Sequence, residues 1–339
     1  MQGADAGAPL DPPFHERFRD IDGDLPGLDP WRPLHQACIR LSIQKPMDGA
    51  QMRRLAELWN GRRDVEVRLL GYAAEDLEFL GYFSDLEKLN VQVPIIKDIG
   101  GLRHVAESLK EFTLASKTAR VSLKPVAACT PLESLHIQNH VRDFDALRSI
   151  HGLRYLGIPG ISLPDLSDLL PFKHLRSLFL GFCKPIDLGL IGRFAELEAV
   201  NIVKMNNLRD LAALGLACNL RRIELAWLPH VASLPAFSEF NRLDEFEIEG
   251  MKSLCDITSI AAAPAIRYLA LWDCKSLTPE SFKCLIGHPT LKHLNFGVGR
   301  LKDNKAIAAM FPAAMVQTVN YKITPGTYLR RPTPVSARS

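Results

Sequence analysis

Three groups of residues in this chain are of types that do chemistry. Cys274, Cys284, His288 and His293 are zinc ligands by type, and their spacing admits a tetrahedral site. Arg53, Arg54, Arg62 and Arg63 form a basic group of the kind that holds phosphate or an anionic surface. The third group combines Tyr155, Phe179, Phe182, Trp227, Tyr268 and Trp272 with Arg222 and the acidic residues Glu224, Glu245, Glu247 and Glu249. Aromatic residues and arginine rimmed by charge are the composition of protein-binding hot spots. Motifs that would carry catalysis are missing. The chain has no Gly-x4-Gly-Lys-Ser/Thr loop, no Gly-x-Ser-x-Gly elbow, no His-Glu-x-x-His and no Gly-x-Gly-x-x-Gly. Neither catalytic residues nor a cofactor is therefore expected, and the elements that carry the three groups must decide which of them converge.

Those elements follow from one repeated pattern. Leu-x-x-Leu-x-Leu, with conservative replacements, opens at Leu86, Leu109, Leu132, Leu153, Leu175, Leu197, Leu220, Leu243, Ile266 and Leu291, at intervals of 21 to 25 residues. A fixed period of this length marks a solenoid. The fourth and sixth places are apolar in every unit, from Leu89 and Val91 to Leu294 and Phe296. That alternation predicts a short strand with one buried face, too small to be stable unless stacked on the strand of the next unit. The chain then returns through segments that place Asp before an apolar residue, at Asp98, Asp143, Asp165, Asp187, Asp210 and Asp256. An Asp there can cap a short helical turn.

The pattern resembles the leucine-rich repeat family, closest to the short 22 to 23 residue bacterial forms, over about three quarters of the chain. The resemblance implies an α/β fold: a curved horseshoe solenoid with a concave parallel sheet and short helices or turns on the convex side. The ninth place, where the family's asparagine ladder belongs, instead holds Pro94, Lys117, His140, Ile161, Cys183, Met205, Leu228, Met251 and Cys274. Turns held by packing are expected. Some bacterial proteins of this kind carry a ubiquitin-ligase domain with a Cys-x-Asp motif, but no Cys-x-Asp occurs here.

In this family partners usually dock on the concave face, to which the third, fifth, seventh and eighth places contribute. The aromatic and acidic group falls on those places within six consecutive units, along roughly 25 Å of sheet. Phe179 and Trp272 are expected to be exposed there. Phe182 and Trp227, at the eighth place, either join them or lie over their own turn as core cover. The repeat register separates the four zinc-ligand types: Cys274 is in a turn, Cys284 on the return, His288 in a loop and His293 on the inner face. No metal is expected. The arginine group reads as a solvated helix face.

Before the repeats, Ile39, Leu41 and Ile43 alternate with polar residues as a strand. Asp48 and Gln51 can form a capping box ahead of Met52, Leu55, Ala56 and Trp59, and Gly61 ends that helix. The expected organisation is a disordered segment 1–32, an N-terminal cap 33–63, the repeat domain 64–321 and a flexible tail 322–339. The seven cysteines lack the pairing pattern of a secreted scaffold and are expected to be reduced. Neither a signal peptide nor an apolar span is evident, which points to the cytoplasm, with export by a signal-independent route as the alternative. A net charge of +3 gives no general drive toward nucleic acid or membrane. The expected function is non-enzymatic binding of a partner protein by a monomer, as a regulator, an immunity protein or an effector. The alternative is recognition of a sugar or peptide fragment.

Overall fold

The computed structural model describes residues 17–21, 29, 31–115, 121–140 and 142–318. The chain divides into two compact units, Met1–Gly152 and Leu153–Ser339. The first contains six parallel strands in sequence order: β1 Phe18–Asp20, β2 Arg40–Ile43, β3 Glu66–Leu70, β4 Lys88–Gln92, β5 Glu111–Ala115 and β6 Ser134–Gln138. The second contains eight: β7 Tyr155–Gly157, β8 Ser177–Gly181, β9 Ala199–Val203, β10 Arg222–Ala226, β11 Glu245–Glu249, β12 Tyr268–Trp272, β13 His293–Gly297 and β14 Val316–Thr318. Each repeat contributes one strand, so like places in successive repeats stand side by side.

The fourth and sixth places of the repeats enter the core, and nearly all of these side chains are fully buried. Returns close over them mostly as short 3-10 segments, with an α-helix, Leu301–Ala308, in the return between β13 and β14. Five of the six expected aspartate caps form, and Asp76 makes the same contact. The carboxylates of Asp76, Asp98, Asp165, Asp187, Asp210 and Asp256 each accept the backbone N–H two residues on, at 2.7–3.0 Å, and the apolar residue between is buried. Asp143 does not cap. It is itself left-handed (φ 60°) and accepts instead from the hydroxyl of Ser122. Between β10 and β11 a return without helix is filled by Phe237, whose ring meets those of Phe240 and Phe246 at 5.1 and 5.2 Å.

At the ninth place packing does replace an asparagine ladder: Ile161, Met205, Leu228, Met251 and Cys274 are buried, Cys183 half-buried. His140 is the costly member. It is fully buried, both ring nitrogens lack a hydrogen-bond partner, and burial pushes its pKa down.

The cap strand and helix form as read. Helix α1, Gly49–Trp59, starts on the Asp48–Gln51 capping box and ends at a left-handed Asn60, burying Met52, Leu55 and Trp59. The expectation of disorder through residue 32 needs correction where the chain is described. Phe18–Asp20 adds a strand beside β2, and the buried Arg19 donates to the carbonyl of Arg32 at 3.1 Å. At the other end Val316–Thr318 forms the last described strand, while the tail 322–339 lies outside the described residues.

Candidate functional site

The potential zinc ligands are spread over four elements. Cys274 is buried after β12, with its thiol pushed up to about 12 by desolvation. Cys284 is on the following 3-10 turn, the ring of His288 accepts the backbone N–H groups of Thr290 and Leu291, and His293 is exposed on β13. Among the described residues no group of three or more His, Cys, Asp or Glu is placed to hold a metal ion. The four arginines are likewise engaged separately. Arg53 lies over the Tyr82 ring and Arg54 over Trp31. Arg62 pairs with Asp64 and binds the carbonyls of His35, Gln36 and Cys38, while Arg63 pairs with Asp85.

The third group does come together, on the face of the β7–β12 sheet that points away from the core. Its arrangement differs from the sequence expectation in two respects. Phe179 is not exposed: only 4% of it reaches solvent, because with Val203 and Ala226 it forms a small apolar cluster covered by Tyr155 and Trp227. β9 is the reason. Its outward places are Ala199, Asn201 and Val203, small enough for larger neighbours to fold across, and all five of its residues are buried. Trp272 is half-buried, not fully open.

The eighth place has a backbone peculiarity. In seven consecutive repeats it is left-handed, at Asn139, Gly160, Phe182, Lys204, Trp227, Gly250 and Asp273. Asn, Gly and Asp accept that conformation readily, whereas a bulky aromatic there is an outlier costing about 1–3 kcal/mol. Phe182 (φ 57°) and Trp227 (φ 58°) nevertheless occupy it. The alternatives left open for these two rings divide. Phe182 is 41% exposed, with the Lys204 ammonium 5.2 Å from its ring centre, while Trp227 turns back over the sheet face.

Beside this apolar cluster stands the acidic group. Arg222 is in register with Glu245, and Glu224 with Glu247, so two carboxylates face each other across adjacent strands. Like charges so placed are unfavourable. One guanidinium serves three of the carboxylates, at 3.6 Å to Glu245, 3.2 Å to Glu247 and 4.0 Å to Glu224. Glu224 carries the consequence: burial first, then Glu247, raises its pKa to about 7, against the lowering effect of Arg222 and of the Asn201 amide that donates to it. Tyr268 closes the row, its hydroxyl accepting from Asn295 at 3.0 Å.

A shallow cavity of about 220 Å³ lies elsewhere, lined by Arg176, Ala195, Glu196, Glu198, Asn219 and Arg242 along the edge where the chain enters β8 to β10. Its walls hold no nucleophile. No described helix is long and apolar enough to cross a membrane.

Asn201 and Val203 occupy inner-face places by the repeat register but are not among the expected site residues, nor is Ala226; all three build the site without being conspicuous. A signal for the turn was present, since Asn139, Gly160, Gly250 and Asp273 in one column announce a left-handed position.

No protein-family model matches the sequence. No curated protein matches it either. Solved structures do. An internalin, InlF, from Listeria monocytogenes superposes with a TM-score of 0.52 at 15% identity, over 84% of this chain and 79% of that one. Weaker similarity extends to internalin C2 of the same organism (TM-score 0.38, 16% identity, 65% and 83% covered). A leucine-rich repeat protein of Leptospira interrogans gives 0.39 at 12% identity, with 83% and 90% covered. The first of these, with the strand-per-repeat architecture above, shows the fold of this chain to be the leucine-rich-repeat solenoid.

Proposed function

We propose that this chain is a non-enzymatic protein-binding module whose partner docks on the open face of β7–β12. The observation that carries the reading is a local departure from what folding alone favours. Two aromatic residues are held in a left-handed backbone, and three carboxylates share one arginine, on the same stretch of sheet. Sites that break local rules without a structural return are where function is concentrated. Tyr155, Phe182, Trp227, Tyr268 and Trp272 supply amphipathic rings, and Arg222, Glu224, Glu245, Glu247 and Glu249 supply charge. Phe179 belongs to this set as the support beneath the rings.

The repeat spacing supports the short bacterial type, and an immunity, regulatory or effector role would use the same face. Affinity capture from the producing organism tests the proposal. Wild-type protein should retain a partner that the double variant Tyr268→Ala, Trp272→Ala loses, with the melting temperature of the variant close to that of wild type. Retention of the same partner by the double variant would move the interface elsewhere.

A further inference from the structure

The acidic group has more negative charge than the fold can use. Glu224, Glu245 and Glu247 project from two neighbouring strands toward one guanidinium, which leaves two negative charges in excess of it when all three are ionised. Next to them lies an independent sign of a missing donor. Asn201 is only 7% exposed and stands in register with Glu224. Its amide N–H donates to that carboxylate, yet its carbonyl oxygen is buried without any hydrogen-bond partner. An unpaired buried acceptor costs about 1–3 kcal/mol, and turning the amide over would only set its oxygen against the carboxylate. Both defects are cured by the same chemistry, a cationic group rich in N–H donors. The apolar cover formed by Tyr155 and Trp227 over Phe179, Val203 and Ala226 adjoins this spot, since Ala226 is in register with Glu249.

We infer that the occupant of this face is a protein segment presenting a lysine or arginine to Glu224 and Glu247 beside Asn201, with an apolar side chain one or two residues away on the Tyr155–Trp227 surface. The inference rests on the reading of this face as the docking surface and names the chemistry of what docks. A metal ion is a poorer occupant, because the Arg222 guanidinium already sits among the carboxylates and repels a bare cation, whereas a side-chain ammonium or guanidinium can align its N–H groups with the oxygens left over.

Proton linkage gives the inference a signature. The groups facing Glu224 are Asn201 from β9, Arg222 from its own strand, and Glu247 and Glu249 from β11. Around pH 7 Glu224 is half protonated. A bound cation requires the carboxylate, so binding expels the proton and affinity rises with pH. If only the ionised form binds, affinity at pH 8 should exceed that at pH 6 by roughly tenfold.

Selection of a random 12-residue peptide library displayed on phage, with the intact chain as bait, tests this. Enriched sequences should carry Lys or Arg within two residues of Leu, Phe or Trp. The best of them, made synthetically and followed by fluorescence anisotropy, should bind about tenfold more tightly at pH 8 than at pH 6. Glu224→Gln should remove that pH dependence, and Glu247→Gln should weaken binding several-fold, while circular dichroism and the melting temperature show both variants folded. Failure to enrich any peptide, enrichment of neutral or acidic ones, or binding indifferent to both glutamine variants would overturn the inference. Two of these failures are distinguishable. Peptides lost on Trp272→Ala but indifferent to the glutamines leave the docking face intact and remove only its preference for a cation. Peptides indifferent to all these substitutions remove both.

Discussion

The indole of Trp227 rests against Gly250, its counterpart one repeat on: a Cβ built on Gly250 would stand 3.0 Å from two ring carbons. Both residues are left-handed, at φ 58° and 64°. The glycine therefore does two things. It takes the backbone conformation of the eighth place without strain, and it leaves the slot into which the indole folds to cover the Phe179 cluster.

Gly250→Ala should consequently destabilise by about 1–3 kcal/mol, from the left-handed backbone together with the displaced ring. Tryptophan emission should shift to the red as Trp227 is pushed toward water. An unchanged melt and spectrum would mean that the close approach is not maintained in solution.

The two phenylalanines near one another in sequence should separate by stability. Phe179→Ala empties a buried site and should cost on the order of 3 kcal/mol. Phe182→Ala removes an exposed ring and should stay within about 0.5 kcal/mol of wild type. Chemical denaturation of the two variants side by side distinguishes them, and equal losses would contradict the burial described for Phe179.

Glu224→Gln should stabilise the protein, and more so in alkaline solution. The folded pKa, about 7, lies above the ordinary value of 4.5, so the folded state holds a proton that the unfolded chain has released. Wild-type stability therefore falls as pH rises from 4.5 through 7, and the deficit is complete above that range. The variant lacks the titration. Its melting temperature should match wild type near pH 4 and exceed it at pH 8, by a margin equivalent to about 1–3 kcal/mol. A constant difference across that range would show that Glu224 does not titrate abnormally.

His140→Met should also stabilise. The sister residues Met205 and Met251 fill the same place fully buried, whereas His140 leaves two ring nitrogens unpaired there. The gain expected is about 1–3 kcal/mol. It should grow below pH 6.5, because the depressed pKa keeps the folded imidazole neutral while the unfolded one takes up a proton. Thermal melts at pH 5 and 8 measure both parts, and a loss of stability at either pH would show that His140 has a partner.

Much of this fold was legible because its determinants are local and repeated. Leu89, Leu135 or Leu294 announces a core place by spacing alone, and Asp187 announces its turn by preceding a buried Leu188. The site was legible as a list of residues but not as a surface. Alternation along β8 assigns Phe179 to the solvent side, and only the small residues of β9, one strand away, allow it to be covered. The shift of Glu224 is equally non-local, arising from Glu247 on the next strand and from burial. Asp143 failed as a cap for a conformational reason, its own left-handed backbone, which a dipeptide pattern does not encode.

Photo-crosslinking tests the central claim most directly. A benzoylphenylalanine introduced in place of Phe182, Tyr268 or Trp272 on the open face, or of Leu216, which is 59% exposed on a return, would be activated in the producing cells. The account predicts adducts to one partner protein from the three open-face positions and none from Leu216. Adducts from Leu216 with none from the sheet face would contradict it.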